Sequence, residues 1–167
     1  ERARELIASL EPRRVDPEVP GAEDLLRAAE AARERRWDAA AELYRAARDA
    51  NDKLLAAHVG LFEAEQALKK ASDARARADG FLASGRASDA RAEAEAARDA
   101  WPFDADAERL ISAADAVIAR AIDRVDAARG IAAERRWDDA LAELEAARAI
   151  DASLPELHRA EGAIRRA

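Results

Sequence analysis

The sequence predicts an all-α chain in which short and long antiparallel helices alternate as repeated hairpins. Three observations predict it. First, Glu34-Arg35-Arg36-Trp37-Asp38 returns letter for letter as Glu134-Arg135-Arg136-Trp137-Asp138, and Ala28, Ala40, Ala47 and Arg48 return as Ala128, Ala140, Ala147 and Arg148. Midway, Ala78, Gly85, Arg86, Ala90, Ala97 and Arg98 fill the same positions, so an offset of 100 residues holds two units of 50. Second, Ala, Arg, Glu and Leu dominate and are strong helix formers, whereas the strand formers Val and Ile are scarce and Thr is absent. Third, apolar positions recur at helical spacing. A repeat period of this length fixes the architecture before chemistry is considered.

Taken in order, residues 1–20 read as an N-terminal helix and a Pro-rich connector. Leu6, Ile7 and Leu10 have helical spacing, and Pro12, Pro17 and Pro20 forbid regular helix after them. Residues 21–167 read as one repeat domain, with units at about 21–70, 71–120 and 121–167. Gly21 and the acidic pair Glu23-Asp24 mark a helix start. Leu25, Ala28, Ala29 and Ala32 run from there to about Glu34. After a turn at Arg35-Arg36, Trp37, Ala40, Ala41, Tyr44 and Ala47 form a short helix. Asn51-Asp52 stop it and cap the next. No proline interrupts the chain from Lys53 to about Ser84, which predicts a long helix with an alternative break at Asp79-Gly80.

Gly85 ends that segment, and the short helix repeats from Arg86 to Ala100. Trp101-Pro102-Phe103 turns the chain and Asp104 caps a second long helix to about Glu134, with Leu110, Ile111, Val117, Ile118, Ile122, Val125 and Ile131 as its apolar face. The short helix returns at Trp137–Ile150. Ser153-Leu154-Pro155-Glu156 has capping-box spacing, with Pro in the first turn, where its missing N–H costs nothing.

Composition narrows the function. The net charge of −7 argues against a general nucleic-acid surface. No run of about 18 apolar residues exists to span a bilayer. Cys is absent, which removes disulfides and thiolate chemistry. Met is also absent and Glu1 reads as mid-helix, so the chain reads as a fragment or a processed form. Arg far outnumbers Lys, which with the Ala content points to a GC-rich bacterial coding sequence. The expected compartment is the bacterial cytoplasm, with the periplasm left open.

Several of these positions resemble tetratricopeptide repeats. A small residue in the first helix, an aromatic after the turn, Ala three on, a bulky residue four later and Ala three after that are Ala28, Trp37, Ala40, Tyr44 and Ala47. The second unit has Ala78, Ala87, Ala90, Ala94 and Ala97; the third has Ala128, Trp137, Ala140, Leu144 and Ala147. Pro102 lies where that family often ends a repeat. The family period is near 34 residues, so each unit here carries about 16 more, read as roughly four extra turns at the front of the first helix. The resemblance covers about residues 21–155. It implies an α-solenoid whose business is protein–protein binding.

Candidate sites are few. His58 and His158 occupy equivalent positions with Glu108 between them, too little for a metal centre. There is no Gly-rich phosphate loop, no helical HExxH and no serine in a nucleophile constellation, so no catalytic, cofactor or metal residue is assigned. Trp37 and Trp137 read as plugs at the hairpin ends. Arg33, Arg35, Arg36, Arg135 and Arg136 could hold an acidic peptide or a terminal carboxylate. Their neighbours Glu34, Asp38, Glu134 and Asp138 could neutralise them instead. Trp101 and Phe103 flank a proline and read either as an interface anchor or as a hydrophobic staple on the following helix. Trp101, Phe103, Arg35, Arg36, Arg135 and Arg136 are the candidate partner-binding residues. The expected function is a non-enzymatic scaffold or peptide-binding domain of a larger bacterial protein, its partner a protein or peptide rather than nucleic acid or membrane. The rival readings are a structural spacer that self-associates through its long helices, and the regulatory extension of an enzyme.

Overall fold

A computed structural model describes residues 18–166. Among them are seven helices and no strand: α1 (Ala22–Arg33), α2 (Trp37–Ala50), α3 (Leu55–Ala83), α4 (Ala87–Ala100), α5 (Ala105–Ala133), α6 (Trp137–Ile150) and α7 (Pro155–Ile164). The helix expected over 1–10, with Pro12 and Pro17, lies outside the described residues. The all-α expectation therefore holds. From α2 to α6 the lengths alternate, with 14 residues in α2, α4 and α6 and 29 in α3 and α5, while α1 has 12 and α7 has 10. Their boundaries recur at the sequence period. Where the sequence reads as a single domain over 21–167, the chain falls into two compact units, one running to Leu68 and one from Lys69, and the division lies inside α3.

The long helices do not break. α3 runs through Gly80 and α5 through Gly130. Both glycines are exposed, whereas Ala78 and Ala128 beside them are fully buried, so packing carries the helix across the weak residue.

Each turn into a 14-residue helix is closed by a left-handed residue. Arg36 N donates to Ala31 O at 2.9 Å and Arg35 N to Ala32 O at 3.0 Å, the paired bonds of a Schellman motif. The left-handed position is Arg35 (φ 58°), Gly85 (φ 69°) and Arg135 (φ 63°) in successive repeats. Only glycine takes that conformation freely; each arginine carries about 1–2 kcal/mol of steric cost.

In the first unit, α2 packs between α1 and the start of α3. Leu25, Ala28 and Ala31 of α1 meet Ala40, Tyr44 and Ala47 of α2 and Ala57, Leu61 and Ala64 of α3. The second unit repeats the scheme. α4 lies between Ala74 and Ala78 of α3 and Ala107 and Ile111 of α5. α6 lies between Ala121, Val125 and Ala128 of α5 and Leu157, Ala160 and Ile164 of α7. α5 thus serves two short helices in turn, α4 with its first half and α6 with its second. The extra residues at its front pack on the preceding short helix. Alanine at most of these contacts lets the helix axes come close.

Equivalent facing pairs keep their summed size while exchanging their members. Tyr44 faces Gly60, Ala94 shares a cluster with Leu110, and Leu144 shares one with Ala160. A Cβ on Gly60 would run into the Tyr44 ring. Gly60→Leu and Tyr44→Ala should each destabilise the chain by about 2–4 kcal/mol, by overpacking and by cavity formation. Combined, they recreate the Ala94–Leu110 pair. Urea unfolding should then recover about 2 kcal/mol or more relative to the sum of the singles; purely additive losses would contradict the size exchange.

Burial pushes the Tyr44 phenol above its ordinary value, with Glu63 adding to the rise and Arg33 opposing it. A raised folded value favours the protonated phenol, so the folded state loses stability as pH climbs from the ordinary tyrosine value, about 10, toward the folded one. Tyr44 is the only tyrosine. Its absorbance titration should have a midpoint above that of the urea-unfolded chain; coincident midpoints would refute the burial.

Candidate functional site

One internal exchange builds a charged groove in the second unit. Leu25 and Leu54 share the first core, and Val125 and Leu154 share the last. The corresponding residues of the middle repeat are Arg75 and Asp104. Arg75 Nη1 reaches Asp104 Oδ1 at 3.2 Å and Asp106 Oδ2 at 2.7 Å. Asp104 is 2% exposed, and its Oδ1 also accepts from Asp106 N and Ala107 N, so it caps α5 as the sequence predicts. Its Oδ2 is buried without a hydrogen-bond partner. Arg109 bonds to Asp106. That bond, then the Arg109 charge, holds the Asp106 carboxyl below its ordinary value against a small opposing burial effect, and Arg75 adds to the lowering.

These groups border an open groove of about 600 Å³. One wall is Ser72, Arg75, Ala76 and Asp79 of α3; the other is Asp106, Arg109, Leu110 and Ala113 of α5. Both sets follow the i, i+3, i+4, i+7 spacing of a single helix face. Small residues leave room in the middle, and both signs of charge are within reach. The arrangement suits a polar segment whose own charges alternate.

A second polar constellation joins the two ends of short helices. Asp151, fully buried, follows α6. Its Oδ2 accepts from Ser88 N at 3.1 Å and Ser88 Oγ at 2.6 Å; its Oδ1 accepts from Ser153 N at 3.0 Å and Ser153 Oγ at 2.8 Å. Asp89 N donates to Ser153 Oγ at 3.3 Å, and Ala152 N to Gly85 O at 2.9 Å. The start of α4, which has no side-chain cap of its own, is therefore capped by residues after α6. The capping box expected at Ser153 does not form, because this hydroxyl is committed to Asp151 and Asp89; Leu154 precedes α7 without a side-chain cap and Pro155 occupies its first turn. Asn51 likewise caps no helix: its Oδ1 closes a turn on Lys53 N at 3.1 Å.

The candidate residues from the sequence differ in exposure and in pairing. Trp101 is half-buried with its indole nitrogen buried and unbonded, whereas Phe103 is 58% exposed, so only Phe103 offers an open ring. Arg35 and Arg135 hold the left-handed turn positions. Arg36 pairs with Glu34, and Arg136 with Glu134 and Asp139, so these two are neutralised locally. Within the second unit, α5 separates the Trp101–Phe103 loop from Arg135 and Arg136 by 29 residues, roughly 43 Å of helix. That loop and these two arginines do not form one site. Trp37 packs on the first core, as a plug does; Trp137 is 37% exposed. His58 and His158 are exposed, and no cluster of His, Asp and Glu among the described residues is arranged to hold a metal ion.

The fold and groove define an all-α chain whose helices recur every 50 residues. No family model matches it, and neither a curated protein nor a solved structure matches it. No helix among the described residues is long and apolar enough to cross a membrane.

Replacing Asp151 by Ala would leave Ser88 N, Ser153 N and two hydroxyls to find other partners in a seam where both serines are half-buried. The expected cost is about 3 kcal/mol, with faster amide exchange at Ser88 and Asp89. An unchanged urea midpoint and unchanged exchange at those amides would show that the seam contributes nothing.

Proposed function

We propose that this chain is a protein–protein interaction scaffold without enzymatic activity, a tetratricopeptide-like helical-repeat domain of a larger bacterial cytoplasmic protein. Its partner is a charged protein segment taken along the groove between α3 and α5. The observation that carries the reading is the exchange of an apolar pair for Arg75 and Asp104. A buried ion pair is seldom more stable than the apolar pair it replaces. A repeat that keeps one in a single copy departs from packing where packing alone would favour leucine and valine, and such departures mark binding sites. The flanking Arg109 and Asp79 then supply exposed charges for the partner.

A structural spacer is the second reading. The seam at Asp151 favours it, because abutting short helices are what a load-bearing array needs.

The double substitution Arg75→Val with Asp104→Leu copies the Val125–Leu154 pair and separates the two. The exchange removes the Asp104 cap of α5, worth about 1 kcal/mol, and adds apolar burial, so the variant should stay folded with a urea midpoint near that of the native chain. In a cross-linked pull-down from a bacterial lysate, the proteins recovered by the native chain should be lost. Full recovery with the folded variant would remove the groove from consideration and leave the spacer reading.

A further inference from the structure

The seam between α6 and α4 has a counterpart on each side of the repeat period, one half at the end of α2 and the other at the start of α6. We propose that two copies of this chain associate head to tail, the Asn51–Leu54 loop of one copy seating on the start of α6 in the next. This surface is separate from the α3–α5 groove, and the proposal does not depend on what that groove binds.

The loop half matches. Asn51 has φ −154° and ψ 101°, and Asp151 has φ −143° and ψ 100°. Asn51 Oδ1 accepts from Lys53 N as Asp151 Oδ1 accepts from Ser153 N. Leu54 N bonds to Asn51 O at 3.1 Å, and Leu154 N to Asp151 O at 3.4 Å. The receiving half matches too. Arg135 has φ 63° where Gly85 has 69°, and neither Arg86 nor Arg136 gives its helix a side-chain cap. A copy of the seam would set Asp52 N on Arg135 O, and would bring the Asn51 amide NH2 and the Lys53 ammonium, both donors, against the Asp138 and Asp139 carboxylates.

The side chains change in a complementary way. In the internal seam the carboxylate of Asp151 takes the hydroxyl of Ser88. At the outer seam Ser88 becomes Asp138, and a second carboxylate there would repel it; the loop instead brings the amide of Asn51. Ser153 becomes Lys53, a cation beside Asp138 and Asp139. The acid on one side and the amide and ammonium on the other have exchanged together, as a working interface requires.

The receiving surface is open and apolar at its centre. Trp137 is 37% exposed, whereas Ala87 at the same position of the internal seam is 1% exposed. Ala132, Ala133, Trp137, Ala160, Ala163 and Ile164 border a groove of about 410 Å³ there. A tryptophan in such a groove is a strong anchor for an interface. The contact uses different surfaces on the two copies, so it builds rings or open chains of copies rather than a two-fold dimer.

Sedimentation velocity of the 167-residue chain from micromolar to submillimolar concentration tests this. The mass should rise with concentration past that of a dimer. Lys53→Glu and the pair Asp138→Lys with Asp139→Lys should each weaken association about tenfold, by placing like charges together. An equimolar mixture of these two variants should assemble again, since each loop then meets an opposite charge, which misfolded variants could not do. A chain that stays monomeric throughout overturns the proposal. So does association indifferent to both reversals, or protection of Trp137 from quenching that is equal at every concentration, since the cover would then come from its own chain.

Discussion

A buried carboxylate, Asp151, ties the end of one short helix to the start of another, and the register of the second unit depends on it. Two 14-residue helices placed end to end are about 42 Å long, and the 29-residue α5 that they share is about 43 Å. The lengths match because α6 must return far enough to bring its last residue to the first turn of α4. There the negative end of one helix dipole meets the positive end of the other. One residue more or less in α5 would rotate its apolar face by about 100° relative to α6 and carry Asp151 away from Ser88. The strict period of the sequence follows from this double constraint of length and rotation.

Such a chain gains little from burial alone. Of the six largest fully buried side chains among the described residues, two are carboxylates, Asp104 and Asp151, and the others are Leu144, Leu154, Leu157 and Val125. Alanine buries one methyl group, about 0.8 kcal/mol, so close backbone approach and satisfied helix ends have to carry more of the stability than in a leucine-rich bundle. This explains why a facing pair can trade Tyr44 and Gly60 for Ala94 and Leu110 but cannot be enlarged on both sides. It also explains why arginines are tolerated at left-handed turns: the hydrogen bonds that close each turn outweigh a local strain of about 1–2 kcal/mol.

Local signals were legible in the sequence, and distant ones were not. Trp137–Ile150 and the cap at Asp104 could be placed because helix propensity, turn chemistry and the repeated block agree there. The continuity of α3 through Gly80 could not, because glycine weakens the helix locally and the packing that restores it is tertiary. Ser153 looked like a cap since four consecutive residues fit a capping box; its true partners, Asp151 and Asp89, include one 64 residues away. Aromatic and arginine residues drew attention as binding candidates, yet half-burial of Trp101 and local ion pairs at Arg36 and Arg136 absorb most of them. The signal that would have found the groove was present: Arg75 stands where the other copies have Leu25 and Val125. Reading that substitution requires knowing which position faces it, which only the packing of α3 against α5 supplies.

The loops themselves show how one repeat was diverted. The loop after α6 opens with Asp151 and closes with Leu154, and the loop after α4 opens with Trp101 and closes with Asp104. Each has one buried acid and one apolar residue, in opposite order. With the acid first, the carboxylate points its bonds to the start of a neighbouring short helix and the leucine fills the core. With the acid last, the carboxylate caps its own long helix, and the vacated core position opposite can hold Arg75 instead of an aliphatic residue. The charge on the α3 wall of the groove is therefore a consequence of reversing two residues in a four-residue loop. The same reversal withdraws the acid from the position that elsewhere joins short helices. A repeat can commit its buried carboxylate to the seam or to the groove, and the Trp101–Asp104 loop has taken the groove.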